Sequence, residues 1–149
     1  MRAFNEIADD FDSLTASDFD WSTSAPAGLD RLFKLCDQML AINEVDKCAP
    51  ILFGVMERLD TSDLGNPGPI VHTLEEWRGG YESFLVESLR RHPTSLTVWM
   101  VNRILNAKPH NADEWLKLLQ SVLSHPAASD ATKQRAVDYL NYQAGQSKS

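Results

Sequence analysis

Apolar residues recur at intervals of three and four along almost the whole chain, which is the spacing of one face of a helix. Phe4, Ile7, Phe11 and Leu14 mark a short first helix. Leu29, Leu32, Phe33, Cys36, Met39 and Leu40 mark a second, with Ser24 and Pro26 as its start signals. Ile51, Leu52, Val55, Met56 and Leu59 mark a third. The run Leu64-Gly65-Asn66-Pro67-Gly68-Pro69 then imposes an irregular loop, because its prolines and glycines suit no helix interior.

A fourth segment runs from about Ile70 to Trp77 and ends at Gly79-Gly80, after which Tyr81, Phe84, Leu85, Ser88 and Leu89 share one face. His92-Pro93 stops that helix, and Thr94 or Ser95 can cap the next. Leu96–Leu105 is apolar over most of its circumference, so the pattern predicts that it is the most buried helix. Lys108-Pro109 ends it. Asn111 and Glu114 read as a capping box for a helix with Trp115, Leu118, Leu119, Val122 and Leu123 inward, closed by His125-Pro126. A last helix from about Asp130 carries Val137, Leu140 and Ala144, and residues 145–149 read as a frayed tail. No stretch alternates as a half-buried strand does. The expected fold is therefore all-α, a single helical domain over residues 1–149. About seven helices would form an antiparallel helical bundle or a short HEAT-like helical stack, with residues 1–25 as an acidic N-terminal helix and polar link.

Composition narrows the function. The 149 residues are 43% hydrophobic and 23% charged, as in an ordinary globular chain. No apolar run approaches the length needed to span a bilayer, and the N-terminus lacks the apolar stretch of a secretory signal, so a cytoplasmic location is expected. Cys36 and Cys48 fall on apolar helical faces and read as core residues. The net charge of −7 is concentrated. Glu6, Asp9, Asp10, Asp12, Asp18, Asp20 and Asp30 face Arg2 alone in the first 30 residues, a local −6, whereas the remainder carries only −1. Such a surface repels nucleic acid and favours a basic protein partner.

Catalytic and metal motifs are weak. His72, Glu75 and Glu76 give H-x-x-E-E, but the related zinc signature needs a second His where Glu76 stands, and the first turn of a helix favours acids anyway. The glycines of the 64–69 loop precede Pro69-Ile70, where a phosphate-binding loop needs Lys followed by Ser or Thr. No catalytic residue, metal or cofactor is expected, and a binding protein is favoured over an enzyme.

Two constellations are candidates for partner binding. Trp99, Asn102, Arg103 and Asn106 form a polar stripe at i, i+3, i+4 and i+7 on an otherwise apolar helix. Buried Arg and Asn need partners, so the stripe is expected either to bond the free carbonyls of the 64–69 loop or to contact a partner. Asp18-Phe19-Asp20-Trp21 alternates acids with aromatics, the composition of an interface anchor; the competing reading folds Phe19 and Trp21 back over the bundle as a lid. The expected binding set is Asp9, Asp10, Asp12, Asp18, Phe19, Asp20 and Trp21 with Trp99, Asn102 and Arg103.

The stretches Leu64-Gly-Asn-Pro-Gly-Pro-Ile-Val-His72, Gly80-Tyr81-Glu82, Arg91-His-Pro93-Thr94 and Thr97-Val-Trp99-Met-Val-Asn102-Arg103-Ile104 resemble small helical immunity proteins of bacterial polymorphic-toxin and contact-dependent growth inhibition systems. The resemblance covers under a third of the chain and is carried by a Gly/Pro loop and a Trp/Asn/Arg helix, not by catalytic residues. It implies a protein that neutralises a cognate toxin, commonly a nuclease, by occluding it. A helical adaptor or effector chaperone that binds a basic partner without inhibiting it is the alternative.

Overall fold

The computed structural model describes residues 2–20 and 27–147. Among them the fold is all-helical, with eight α-helices, 72% helix and no strand. The helices are α1 (Phe4–Asp12), α2 (Gly28–Ile42), α3 (Val45–Arg58), α4 (Pro69–Glu76), α5 (Glu82–Arg91), α6 (Ser95–Asn106), α7 (Ala112–Val122) and α8 (Asp130–Ser147), with a 3-10 turn at Ala16–Phe19. The chain divides into two compact units, Met1–Phe84 and Leu85–Ser149, with the division inside α5. Ser24 and Pro26, the expected start signals of α2, lie outside the described residues.

In the first unit α2 packs on α1, α4 and the 3-10 turn, while α3 packs on α1 and α4. Ile7, Phe11, Leu14, Leu32, Met39, Leu52, Phe53, Met56, Ile70 and Leu74 are fully buried. The last carbonyls of a helix have no partner within it and carry partial negative charge. At the end of α1 the Arg58 guanidinium, reaching from α3, supplies one. Its Nη1 donates to the Leu14 carbonyl at 2.6 Å and its Nη2 to the Phe11 carbonyl at 3.0 Å. Asn43 closes α2 in the left-handed conformation that Asn tolerates, and its Oδ1 accepts from the Trp77 indole at 3.0 Å, tying the ends of α2 and α4 together. In the loop before α4, Gly68 has φ +90°, and a Cβ there would run into the Leu64 carbonyl. Pro50 sits exposed inside α3, where the helix goes without the bond that its ring nitrogen cannot donate.

In the second unit α6, α7 and α8 each pack on the other two. Near their starts, Ser95 of α6 meets Thr132 of α8 at 3.3 Å. Near their ends, the Gln143 amide of α8 donates to Asn102 and Asn106 of α6 at 2.7 and 2.9 Å. α6 and α8 therefore run parallel and α7 returns between them, an up-down-up bundle. Thr94 caps α6 as the sequence predicts: its Oγ1 accepts from the Thr97 N–H at 3.1 Å, while its own N–H donates to Thr97 Oγ1 at 2.9 Å.

Several sequence expectations change. Phe33 and Leu123, both placed inward by spacing, are 48% and 39% exposed. One residue turns a helix by about 100°, and the buried face of α2 is the narrower stripe of Gly28, Leu32, Leu35, Cys36 and Met39. α6 is not the most buried helix: it buries five of its 12 residues, whereas α4 buries five of its 8. The Asn111–Glu114 capping box does not form. Asn111 lies at φ −101°, ψ 33°, away from the extended geometry of a capping residue, and its amide meets the Glu114 carboxylate instead, at 3.5 Å. Of the tail expected over 145–149, residues 145–147 continue α8, and 148–149 lie outside the described residues.

Both cysteines are buried free thiols. Burial pushes the Cys36 thiol up to about 12, opposed in part by its hydrogen bond with Thr73, and burial raises Cys48 as well. An unfolded thiol ionises near 8.5. The folded state thus holds its protons while the unfolded state releases them, and the stability that these groups contribute is complete below about pH 8.5 and is lost as pH rises towards 12. The alkaline decline in urea stability should flatten in a Cys36→Ala/Cys48→Ala variant. Arg58→Ala should cost about 1–3 kcal/mol in the same assay, since two carbonyls lose a charged donor.

Candidate functional site

α1 presents two faces because its apolar residues recur every four positions. Ile7 and Phe11 point into the core, leaving Glu6, Asp9, Asp10 and Asp12 around the rest of the circumference. Asp9 and Asp12 are exposed and form no ion pair among the described residues. Asp10 is different. Its carboxylate lies 2.7 Å from Arg2 Nη2, and Arg2 also approaches Glu6 at 3.7 Å and donates to Gln38 of α2 at 3.1 Å. Arg31 of α2 braces the same end of α1, donating to Ser13 Oγ at 2.6 Å and the Asp10 carbonyl at 3.4 Å.

The acidic-aromatic segment resolves into structural roles. Asp18 Oδ2 accepts from the Thr15 backbone N–H at 2.8 Å and from its hydroxyl at 3.2 Å, closing the 3-10 turn. The Asp18 backbone in turn packs so closely on Gly28 that a Cβ at 28 would overlap it. Phe19 is buried, at 3% exposure. For Phe19 the fold-back reading therefore replaces the interface anchor, because a side chain inside the core has no area to offer a partner. Asp20 is exposed at the end of the turn, and Trp21 lies outside the described residues.

The polar stripe on α6 has neighbours within the second unit. Arg103 is exposed, with its guanidinium 5.3 Å from the centre of the Trp99 ring one turn earlier, a cation–π pair. Asn102 is half-buried and accepts from Gln143 of α8 at 2.7 Å. Asp9, Asp10, Asp12, Asp18, Phe19 and Asp20 thus belong to the first unit, and Trp99, Asn102 and Arg103 to the second.

Sequence reasoning missed Arg58, Arg31 and Gln143. The role of Asp18 was readable, since Thr15-x-x-Asp18 is a capping signature. Among the described residues no group of three or more His, Cys, Asp or Glu is arranged to hold a metal ion, and no helix is long and apolar enough to cross a membrane. No protein-family model, curated protein or solved structure matches the chain.

Two substitutions separate the stripe's roles. Gln143→Ala should destabilise by about 1 kcal/mol through the lost bonds to α6. Arg103→Ala should cost at least the roughly 0.5–1 kcal/mol of its solvent-exposed cation–π pair with Trp99. Thermal unfolding of both variants reads the difference.

Proposed function

We propose that this chain is a binding protein that neutralises a basic protein toxin, a nuclease, by covering it in the cytoplasm of the cell it protects. The observation that carries this reading is the acidic face of α1 and the adjoining 3-10 turn, where Asp9, Asp12 and Asp20 are exposed beside a braced backbone. An enzyme that cleaves nucleic acid presents positive charge to its substrate, and an acidic binder complements that surface and associates quickly with it. Fast association matters for an inhibitor, because each toxin molecule left uncovered continues to turn over. The resemblance of residues 64–106 to immunity proteins supports the same class.

The test is protection. Where a neighbouring reading frame encodes a toxin domain, its co-expression with this chain should restore growth, and the purified protein should abolish the toxin's nuclease activity at equimolar ratio. A complex that forms while activity persists would instead establish an escort.

Kinetics locate the surface. Asp9→Asn/Asp12→Asn should slow association by about 10-fold at low ionic strength, flatten its salt dependence and leave dissociation nearly unchanged. Phe19→Ala should act on the fold, costing about 3–5 kcal/mol in urea unfolding. Unaltered association in the aspartate variant would place the binding face elsewhere on the chain.

A further inference from the structure

The second unit holds an open cleft that the toxin reading does not use. Val98, Val101, Leu119, Val122 and Ala136 seal the middle of the α6–α7–α8 bundle. Towards the ends of α6 and α8 the packing opens: Leu116 and Leu140 are only half-buried, and Tyr142 is 49% exposed. Between them lies a cleft of about 900 Å³, with Leu105 and Pro109 completing its apolar wall. That volume lies within the range of small-molecule sites, about 300–1,000 Å³.

The charge of its lining is distinctive in this chain. Of the 21 acids in the sequence, none lines the cleft, whereas Lys108 does. Lys108 stands at φ 53° immediately after α6, fixed by its N–H bond to the Leu105 carbonyl at 3.0 Å, and forms no ion pair among the described residues. Ala107 and Lys108 donate to the Ile104 and Leu105 carbonyls, which reduces the negative potential at the end of α6. Ala112, the first residue of α7, also lines the cleft, while Asp113 and Glu114 of the same turn are exposed and do not line it. Asn106 and Gln120 add amide groups able to bond a carboxylate.

We infer that this cleft binds a small apolar monocarboxylate, with the hydrocarbon or ring against Leu116, Leu140 and Tyr142 and the carboxylate on Lys108. Among the described residues the lining holds one cation and no anion, which discriminates against cations and against dianions that would leave one charge unpaired. The site lies wholly within Leu85–Ser149, so it stands or falls separately from toxin binding.

Decanoate titrated into the full chain by calorimetry tests it, with decanol as the uncharged control. Saturable 1:1 binding is expected, weakened about 10-fold or more by Lys108→Ala, the loss of one charged hydrogen bond. Gln120→Trp, an exposed position whose larger ring would fill the cleft, should abolish binding while leaving the helical spectrum and melting temperature intact. Decanol should bind more weakly than decanoate to the wild type and equally to Lys108→Ala. Absence of saturable decanoate binding, or binding unchanged in both variants, would overturn the assignment.

Discussion

A helix cannot satisfy its own last carbonyls, and at the end of α1 two guanidiniums, Arg58 and Arg31, join the Ser13 hydroxyl in meeting that deficit. Arg58 reaches from α3 to the carbonyls of Phe11 and Leu14, so the point where the chain leaves α1 is held by charge-assisted bonds. The 3-10 turn begins two residues after Leu14, is closed by Asp18, and carries a backbone that only a glycine at 28 can approach. The placement of α1, of the turn and of the start of α2 is thus held by Arg58 of α3 together with Arg31 of α2 and the close approach at Gly28. The acidic surface inherits its position from this series.

The acids of the N-terminal segment consequently divide by what they touch. Asp10 is held by Arg2, and Asp18 is consumed by the backbone of its own turn. Asp9 and Asp12 have solvent around them and form no ion pair among the described residues. A surface carboxylate of this second kind contributes little to folding, so its charge remains available for long-range attraction. A count of negative charges treats all of these residues alike, whereas the structure assigns them to different tasks.

Helix order was legible because its punctuation is chemical. His92-Pro93, Lys108-Pro109 and His125-Pro126 follow α5, α6 and α7, since the residue before proline is pushed out of the helical region. The contact between Trp99 and Arg103 is local, at i,i+4, and belongs to the same readable class. Which flank of a helix is covered was less legible. Phe33 lies one step of rotation beyond Leu32, so a spacing rule that admits intervals of three and four includes both, although only Leu32 is buried. Long-range polar partners left no trace in the sequence: Arg58 finds carbonyls 44 and 47 residues away, and Gln143 finds amides 41 and 37 residues away. The burial of Phe19 is of the same kind, because a polar link with two aromatics reads equally well as a lid or as an anchor until the core beneath it is known.

The Arg58 clamp grips main-chain oxygens, which every amino acid possesses, and the core contacts of α1 come from Ile7 and Phe11. The outward positions 9 and 12 can therefore change identity over generations without disturbing the scaffold that displays them. The face that α1 shows to solvent is thus free to drift in sequence, while Asp18, Gly28 and Arg58 are tied to the backbone they hold.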